Sequence, residues 1–468
     1  MKPKKTQSTN KNNYSKIKRP DESHIFYRDL IKHYPMITHA NGIYLYDEDG
    51  REIIDAASGA AVVSLGHNNK RIIKALTSQA KKLAFTHLST FTNEPIITLA
   101  NLLHRHLPEG YERLYLTSGG SEAVEAAIKL CRQYHFENKE IQKHKVISRT
   151  ISYHGATLGA LSMTGHHFRR GAFLPLLRSF PRIPPPYCYR CPFPSKHRES
   201  PPACEFECAK ELERAILAEG EELISAFIYE PVIGASAPAV APPVGYQKII
   251  REICDKYDVI MIADEIMSGY GRTGKFLASQ HYRGQPDIVT LSKCMSSGYT
   301  PLGAMISNKK IYEMIRDIKP RKFIHGHTFG ANPLSAAVGV EVLKIMDEKN
   351  LIQRVIRMGR PFKKILEELK ERHKMVGDAR TIGLLGGLEF VVNRRTKEPF
   401  PPEKKVANLV QKIGLRNGIY TYPGTGSVNN VAGDHVLLAP PYIIKNNEID
   451  LMFEKLDATL TTVEKMIV

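Results

Sequence analysis

The sequence is most informative first in what it lacks. No run of 18 apolar residues occurs among its 468 residues, so no membrane-spanning helix is expected. The N-terminus carries charge without the apolar stretch of a signal peptide, and it is neither Arg-rich nor amphipathic like a mitochondrial transit segment; a cytoplasmic chain is the expectation. Seven cysteines, scattered apart from one cluster, do not make a secreted disulfide framework. Acid is absent from the first twenty residues, where Lys2, Lys4, Lys5, Lys11, Lys16, Lys18 and Arg19 place seven of the net +18, leaving +11 for the rest. That polar segment, residues 1–20, reads as a disordered basic tail. The basic run is poor in aromatics, with Tyr14 alone, which argues against a nucleic-acid-binding face. With 42% hydrophobic and 24% charged residues the remainder has a globular balance.

Residues 41–55 alternate around Asp47 to Gly50 and read as a β-hairpin. From about residue 68 the period becomes helical, with Ile72, Ile73, Leu76 and Ala80 on one stripe. To about residue 300, short apolar runs then alternate with helical stretches. Arg113–Ser118, Lys145–Ser148, Ala226–Glu230, Val259–Asp264 and Ile288–Ser292 read as buried strands. This alternation predicts an α/β fold with a large, doubly wound, mostly parallel sheet. The division expected is 21–75 as the N-terminal part of a small domain, 76–340 as the large domain and 341–468 as the rest of the small domain. A Pro/Cys-rich insertion interrupts the large domain at about 181–208.

Ligands of open α/β sheets bind beyond the carboxyl ends of the strands, and chemistry-bearing residues recur at those ends. Thr117-Ser-Gly-Gly-Ser-Glu122 opens into a helix and offers backbone N–H groups for a phosphate; an ordinary capping box with Ser118 at the cap is the alternative. Tyr153-His-Gly155 supplies a ring that can stack, Glu230 a carboxylate, and Asp264 and Glu265 two more. Lys293 follows an apolar strand, where partial desolvation favours the neutral, nucleophilic amine. Together they describe a site for a phosphorylated aromatic cofactor held as a Schiff base.

Two further patterns compete for attention. Gly269-Tyr-Gly-Arg-Thr-Gly-Lys275 matches G-x-G-x-x-G, but Phe276 stands where a P-loop needs Ser or Thr and no strand runs directly into the first glycine. Cys188-x2-Cys191, followed by Cys204-x3-Cys208, could close a tetrahedral zinc site or be four reduced thiols; both readings stay open here.

Ala263-Asp-Glu-Ile-Met-Ser-Gly-Tyr-Gly-Arg-Thr-Gly274, with Pro286-Asp-Ile288, Ser292-Lys293 and Gly298-Tyr-Thr-Pro-Leu-Gly-Ala304, resembles the lysine signature of the class-III aminotransferases, pyridoxal-phosphate enzymes of fold type I. Gly119 to Glu125, Tyr153-His-Gly155, His327 to Pro333 and Ala439-Pro-Pro441 extend the likeness over about residues 35–465. The resemblance implies that Lys293 carries pyridoxal 5'-phosphate as a Schiff base and then serves as acid/base. Asp264 would keep the pyridine nitrogen protonated. Tyr153 and Ile266 would sandwich the ring, with His154 beside them. Gly119, Gly120 and Ser121 would bind the phosphate. Glu230 would sit near substrate and could pair with an arginine. Thr328 would reach the cofactor phosphate of the neighbouring subunit, which requires a homodimer. For Glu265 and Glu122, a structural ion pair or helix-start charge is the plainer reading.

Members that grip an α-carboxylate resemble each other in an arginine just before Ala-Pro-Pro. Leu437 stands at that position here, and no arginine occurs between Asn417 and Pro441. A buried carboxylate without a cation would be costly, so the expected donor is an ω-amine, or failing that an amino acid, with pyruvate or 2-oxoglutarate as acceptor. Arg149 or Arg380 could receive the acceptor's carboxylate. An aminomutase or decarboxylase on the same fold is the alternative reaction.

Overall fold

The computed structural model of the chain describes residues 23–32, 34–193 and 204–467. The basic tail and part of the Pro/Cys-rich segment lie outside the described residues.

The centre of the molecule is a seven-stranded sheet. Its strands are β1 (Tyr111–Thr117), β2 (Lys145–Arg149), β3 (Arg182–Ile183), β4 (Ile224–Tyr229), β5 (Ile260–Asp264), β6 (Ile288–Leu291) and β7 (Gly303–Asn308). Their spatial order is β1-β7-β6-β5-β4-β2-β3. All neighbours are parallel except β7, which runs antiparallel between β1 and β6. β4, β5 and β6 are buried along their whole length. Such strands need apolar residues on both faces, which is why they read as unbroken runs rather than alternations. Helices Gly120–Glu137, Glu207–Glu219 and Tyr246–Lys256 connect and cover the strands. Each fully buried Ile, Leu or Met side chain contributes about 1.5–3 kcal/mol.

Both chain ends build a smaller part. A four-stranded sheet joins the hairpin strands Tyr44–Asp47 and Glu52–Asp55 to Ile419–Tyr420, the last pair parallel. A second sheet pairs Val376–Ile382, Leu385–Asn393, His435–Leu438 and Tyr422–Gly424, backed by helices Leu351–Arg372 and Asn446–Ile467. The fold is thus the α/β arrangement the sequence predicts.

The structure corrects two details. The Pro/Cys-rich segment is not purely an interruption: it begins with β3, which extends the large sheet beside β2. It ends in the regular helix Glu207–Glu219. Strand β7 is absent from the predicted strands, and only its first two residues, Gly303 and Ala304, belong to the Gly298 to Ala304 motif. Among the described residues, no helix is long and apolar enough to cross a membrane.

Candidate active site

Three parallel strands end in register. Tyr229 pairs with Ala263, and Asp264 with Thr290, so Glu230, Asp264 and the Ser292-Lys293 step arrive at one sheet edge. There they border a cavity of about 160 Å³, lined also by Gly120, Ser121, Tyr153, His154, Gly155, Ala235, Ile266 and Met267. Of the predicted site residues, all but Gly119 and Thr328 line it. Gly119 is the residue preceding the helix that begins at Gly120. Thr328 lies exposed, away from this chain's own cavity.

Lys293 follows β6 in a short turn, with a left-handed φ of 44° that turns it out of the strand direction. Burial brings its ammonium down to about 8 from the ordinary 10.5, a drop that the charges of Asp264 and Glu230 partly oppose. A base with a depressed folded-state pKa destabilises the fold while it is protonated there. That penalty is full below about pH 8 and is lost as the pH rises to the unfolded value near 10.5. The consequence is kinetic as well. The cofactor-free protein should capture an aldehyde such as pyridoxal phosphate at a rate that rises with pH around a midpoint near 8. Stopped-flow measurement of band formation against pH checks this, and a midpoint near 10.5 would mean a solvated lysine.

Asp264 ends β5. Its Oδ2 accepts from His154 Nδ1 at 2.8 Å, and its Oδ1 takes the Ile266 N–H at 3.1 Å and the Thr290 hydroxyl at 3.4 Å. His154 is buried, and its Nε2 has no hydrogen-bond partner among the described residues. Glu230 is buried too, and burial raises its carboxyl above the usual range. Oε1 accepts the Tyr153 N–H at 3.0 Å and Oε2 the Gly234 N–H at 2.9 Å. Among the described residues no arginine makes the pairing with this carboxylate that the resemblance allowed; Arg149 donates instead to the Glu230 carbonyl oxygen at 2.8 Å.

At the opposite wall the helix Gly120–Glu137 starts without a side-chain cap. The capping-box alternative fails at Ser118: the position before the helix is Gly119, and Glu122 reaches back to accept the Ser118 N–H at 2.7 Å. First-turn N–H groups, those of Gly120 and Ser121 among them, have no intrahelical acceptor. The Ser121 hydroxyl oxygen accepts the Ala156 N–H at 3.0 Å, leaving its proton to donate elsewhere. A Cβ on Gly120 would stand 2.8 Å from the Ile266 side chain, so only glycine lets Ile266 lie against this turn. The cavity is therefore lined by open N–H donors, a buried carboxylate bonded to a histidine whose Nε2 has no partner among the described residues, an amine, and aromatic and aliphatic side chains. These groups fit an anionic, ring-bearing aldehyde.

Several residues the sequence singled out turn out to be structural. Glu265 accepts from Ser279 N at 2.7 Å, Ala278 N at 2.9 Å and Ser268 Oγ at 3.0 Å, a hydrogen-bonded anchor and not an ion pair. Arg272, in the glycine-rich loop, is fully buried against the Tyr442 ring and donates to Pro440 O at 2.6 Å and Leu384 O at 3.2 Å. Both candidates for the acceptor's carboxylate are engaged elsewhere, although each keeps a guanidinium nitrogen without a partner among the described residues. Arg149 sits among the rings of Phe227, Tyr229 and Tyr246. Arg380 is committed to Asp378 at 2.7 Å and to Glu389 at 3.1 Å.

The cation that sequence reasoning missed is Arg169. Its guanidinium lies 4.4 Å above the Tyr153 ring and near enough to Lys293 to oppose its charge. Its one polar contact is the Tyr422 hydroxyl at 3.5 Å, and it has no carboxylate partner among the described residues. Leu437 is buried in an apolar cluster with Met267, Leu385 and Ala439, against which Tyr153 and Tyr422 pack.

Known proteins resemble the chain over most of its length. The model of the family described as aminotransferase class-III matches residues 28–460. An uncharacterized aminotransferase, YodT of Bacillus subtilis (strain 168), is 36% identical over 95% of this chain and 98% of its own. A putrescine–pyruvate aminotransferase of Pseudomonas aeruginosa is 34% identical, covering 89% of this chain and 88% of its own. Among solved structures, the omega transaminase from Pseudomonas jessenii in complex with PMP superposes with a TM-score of 0.86 at 33% identity, over 93% of this chain and 94% of that one.

Proposed function

The chain belongs to the class-III aminotransferase family, pyridoxal-phosphate-dependent enzymes of transamination, and we propose that it takes the amino group of a terminal (ω-) amine and delivers it to pyruvate or 2-oxoglutarate. The observation that carries the donor is Leu437. Where an α-carboxylate clamp would stand there is a buried leucine in an apolar wall that also holds Tyr153 and Met267. A donor carboxylate against that wall would be desolvated without a counter-charge, at a cost of several kcal/mol. An amine whose reacting carbon bears only hydrogen or alkyl groups incurs no such cost.

In this reading Lys293 holds the cofactor and moves the proton. Asp264, positioned by His154, Ile266 N–H and Thr290, holds a proton at the ring nitrogen. Gly119, Gly120 and Ser121 receive the phosphate. Tyr153 and Ile266 confine the ring, and the Glu230 carboxylate fixes the Tyr153 backbone that carries one of those walls. Bound pyridoxal phosphate supplies the electron sink conjugated to the substrate nitrogen.

Arg169 is the residue we assign to the acceptor's carboxylate. A charged hydrogen bond contributes about 1.5–3 kcal/mol, so Arg169→Ala should raise the KM for pyruvate about 10- to 100-fold. The KM for the amine, and for an aldehyde acceptor lacking a carboxylate, should stay near wild type. Steady-state kinetics with both acceptors checks this; equal losses for both would mean that Arg169 acts only by supporting Tyr153.

A homodimer completes the reading. Thr328 is exposed beside Phe329, which meets Phe85 edge-on at 6.0 Å, and Phe85, Leu88, Phe91 and Phe329 leave apolar surface in solvent. A second copy would cover that surface and bring Thr328 to its partner's phosphate site. Sedimentation as a monomer at micromolar concentration would contradict it. The donor is tested by initial rates with terminal diamines and with α-amino acids against both oxo acids. Activity confined to α-amino acids would end the ω-amine reading while leaving transamination intact.

A further inference from the structure

The turn Lys293–Met295, from which Lys293 lines the cavity, starts in the left-handed region at Lys293 (φ 44°), and Ser297 (φ 51°) lies there too. Residues with a Cβ stay in that region only where their surroundings hold them. Much of the holding is done at Cys294, which is buried and does not line the cavity. Its Sγ donates to Ala61 O at 3.3 Å and accepts from Arg272 Nη2 at 3.8 Å. The Tyr442 hydroxyl shares its one proton between Tyr270 O at 3.0 Å and the same sulfur at 3.4 Å. The Cys294 carbonyl accepts from Ser64 Oγ at 3.5 Å, and Ser297 Oγ accepts the Leu65 N–H at 2.8 Å. Residues from both ends of the chain thus fasten the turn that carries the reactive amine.

Arg272 comes from the glycine-rich loop after β5 and joins this cluster to the small domain. Its guanidinium lies 4.5 Å from the centre of the Tyr442 ring, and its Nη1 donates to Pro440 O at 2.6 Å and Leu384 O at 3.2 Å. Among the described residues it meets no carboxylate, so a fully buried cation is held by carbonyls, a sulfur and a ring. A planar, forked donor can reach several segments at once, which a lysine ammonium on its flexible stem does less well. We propose that Arg272 and the Tyr442 hydroxyl are positioning residues for Lys293, acting through Cys294 to hold the turn that presents the amine to the cavity. Neither residue lines the cavity itself. The proposal rests on Lys293 as the cofactor's point of attachment. A displacement of about 1 Å at a reacting group costs up to about 100-fold in rate, so small movements of this turn matter.

Tyr442→Phe tests this with the least disturbance, because it removes one hydroxyl and keeps the ring beside Arg272. Burial holds that hydroxyl protonated, so the change removes no charge, and Asp264, Glu230 and Arg169, the charges that act on Lys293, stay in place. In the holoenzyme kcat should fall about 5- to 50-fold, with the KM values for amine and oxo acid near wild type. In the cofactor-free full-length chain, the pH midpoint for capture of pyridoxal phosphate should move up from about 8 toward 10.5, since a loosened amine reaches water. Cys294→Ala and Arg272→Lys should shift both readouts the same way. Cys294→Ser, which keeps a donor and an acceptor, should restore most of what Cys294→Ala loses. Combining Tyr442→Phe with Cys294→Ala should be no worse than the worse of the two, as expected for groups acting through one contact. Tyr270→Phe is the matched control: its buried hydroxyl has no partner among the described residues, so kcat and midpoint should stay near wild type. A lower Tm with kcat and midpoint unchanged in Tyr442→Phe and Cys294→Ala would make the cluster purely structural and overturn the proposal. An equal loss in Tyr270→Phe would overturn it as well. A visible band retained in Lys293→Ala would instead remove the attachment reading on which the proposal rests.

Discussion

Lys293→Ala is expected to abolish transamination, with kcat falling at least about 10⁴-fold, because in the proposed mechanism one side chain would both hold the cofactor and move the proton. The loss should be chemical and not structural. Lys293 occupies a left-handed turn whose strain any residue with a Cβ bears, lysine and alanine alike, so the substitution adds no backbone cost there. Far-UV circular dichroism should therefore be unchanged while the visible band disappears. Borohydride reduction followed by peptide mapping should label the wild-type protein at Lys293 and leave the variant unlabelled. A variant that keeps the band would assign the amine to another lysine.

Asp264→Asn should produce the second largest loss, about 10²- to 10⁴-fold in kcat, the range a positioned proton-holding group supplies. The carboxylate ends β5 and is fixed from three sides, so its position survives the change better than its charge does. An amide cannot hold a proton at the ring nitrogen. The band should persist, since Lys293 is intact, and this separates the two variants: one loses attachment, the other loses the electron sink. Asp264→Ala is a poorer test, because stripping a partner from a buried pair costs about 3–5 kcal/mol and would leave neither ring nitrogen of His154 with a partner. Equal kcat in Asp264→Asn and wild type would remove Asp264 from the chemistry.

The strands that build this site were legible because burial on both faces leaves a continuous apolar run, and a charged residue at the end of such a run has a reason to be there. Val259 to Asp264 and Ile288 to Lys293 are of this kind. The roles of arginines were not legible. Arg149 also ends a strand, but only the tertiary arrangement reveals that the rings of Phe227, Tyr229 and Tyr246 enclose it. Arg380 looked equally available until Asp378 and Glu389 were seen beside it. Arg169 gave no signal, because it lies on a four-residue helix whose place over Tyr153 depends on the path of the chain between β2 and β3. Leu437 could be read as an absence of charge; that its neighbours make an apolar wall could not.

The most direct test of the account is a single half-reaction. Holoenzyme mixed with a terminal diamine and no acceptor should lose its visible band, and later addition of pyruvate should restore the band and yield one alanine per active site. The band remaining unchanged with terminal amines while α-amino acids discharge it would contradict the account.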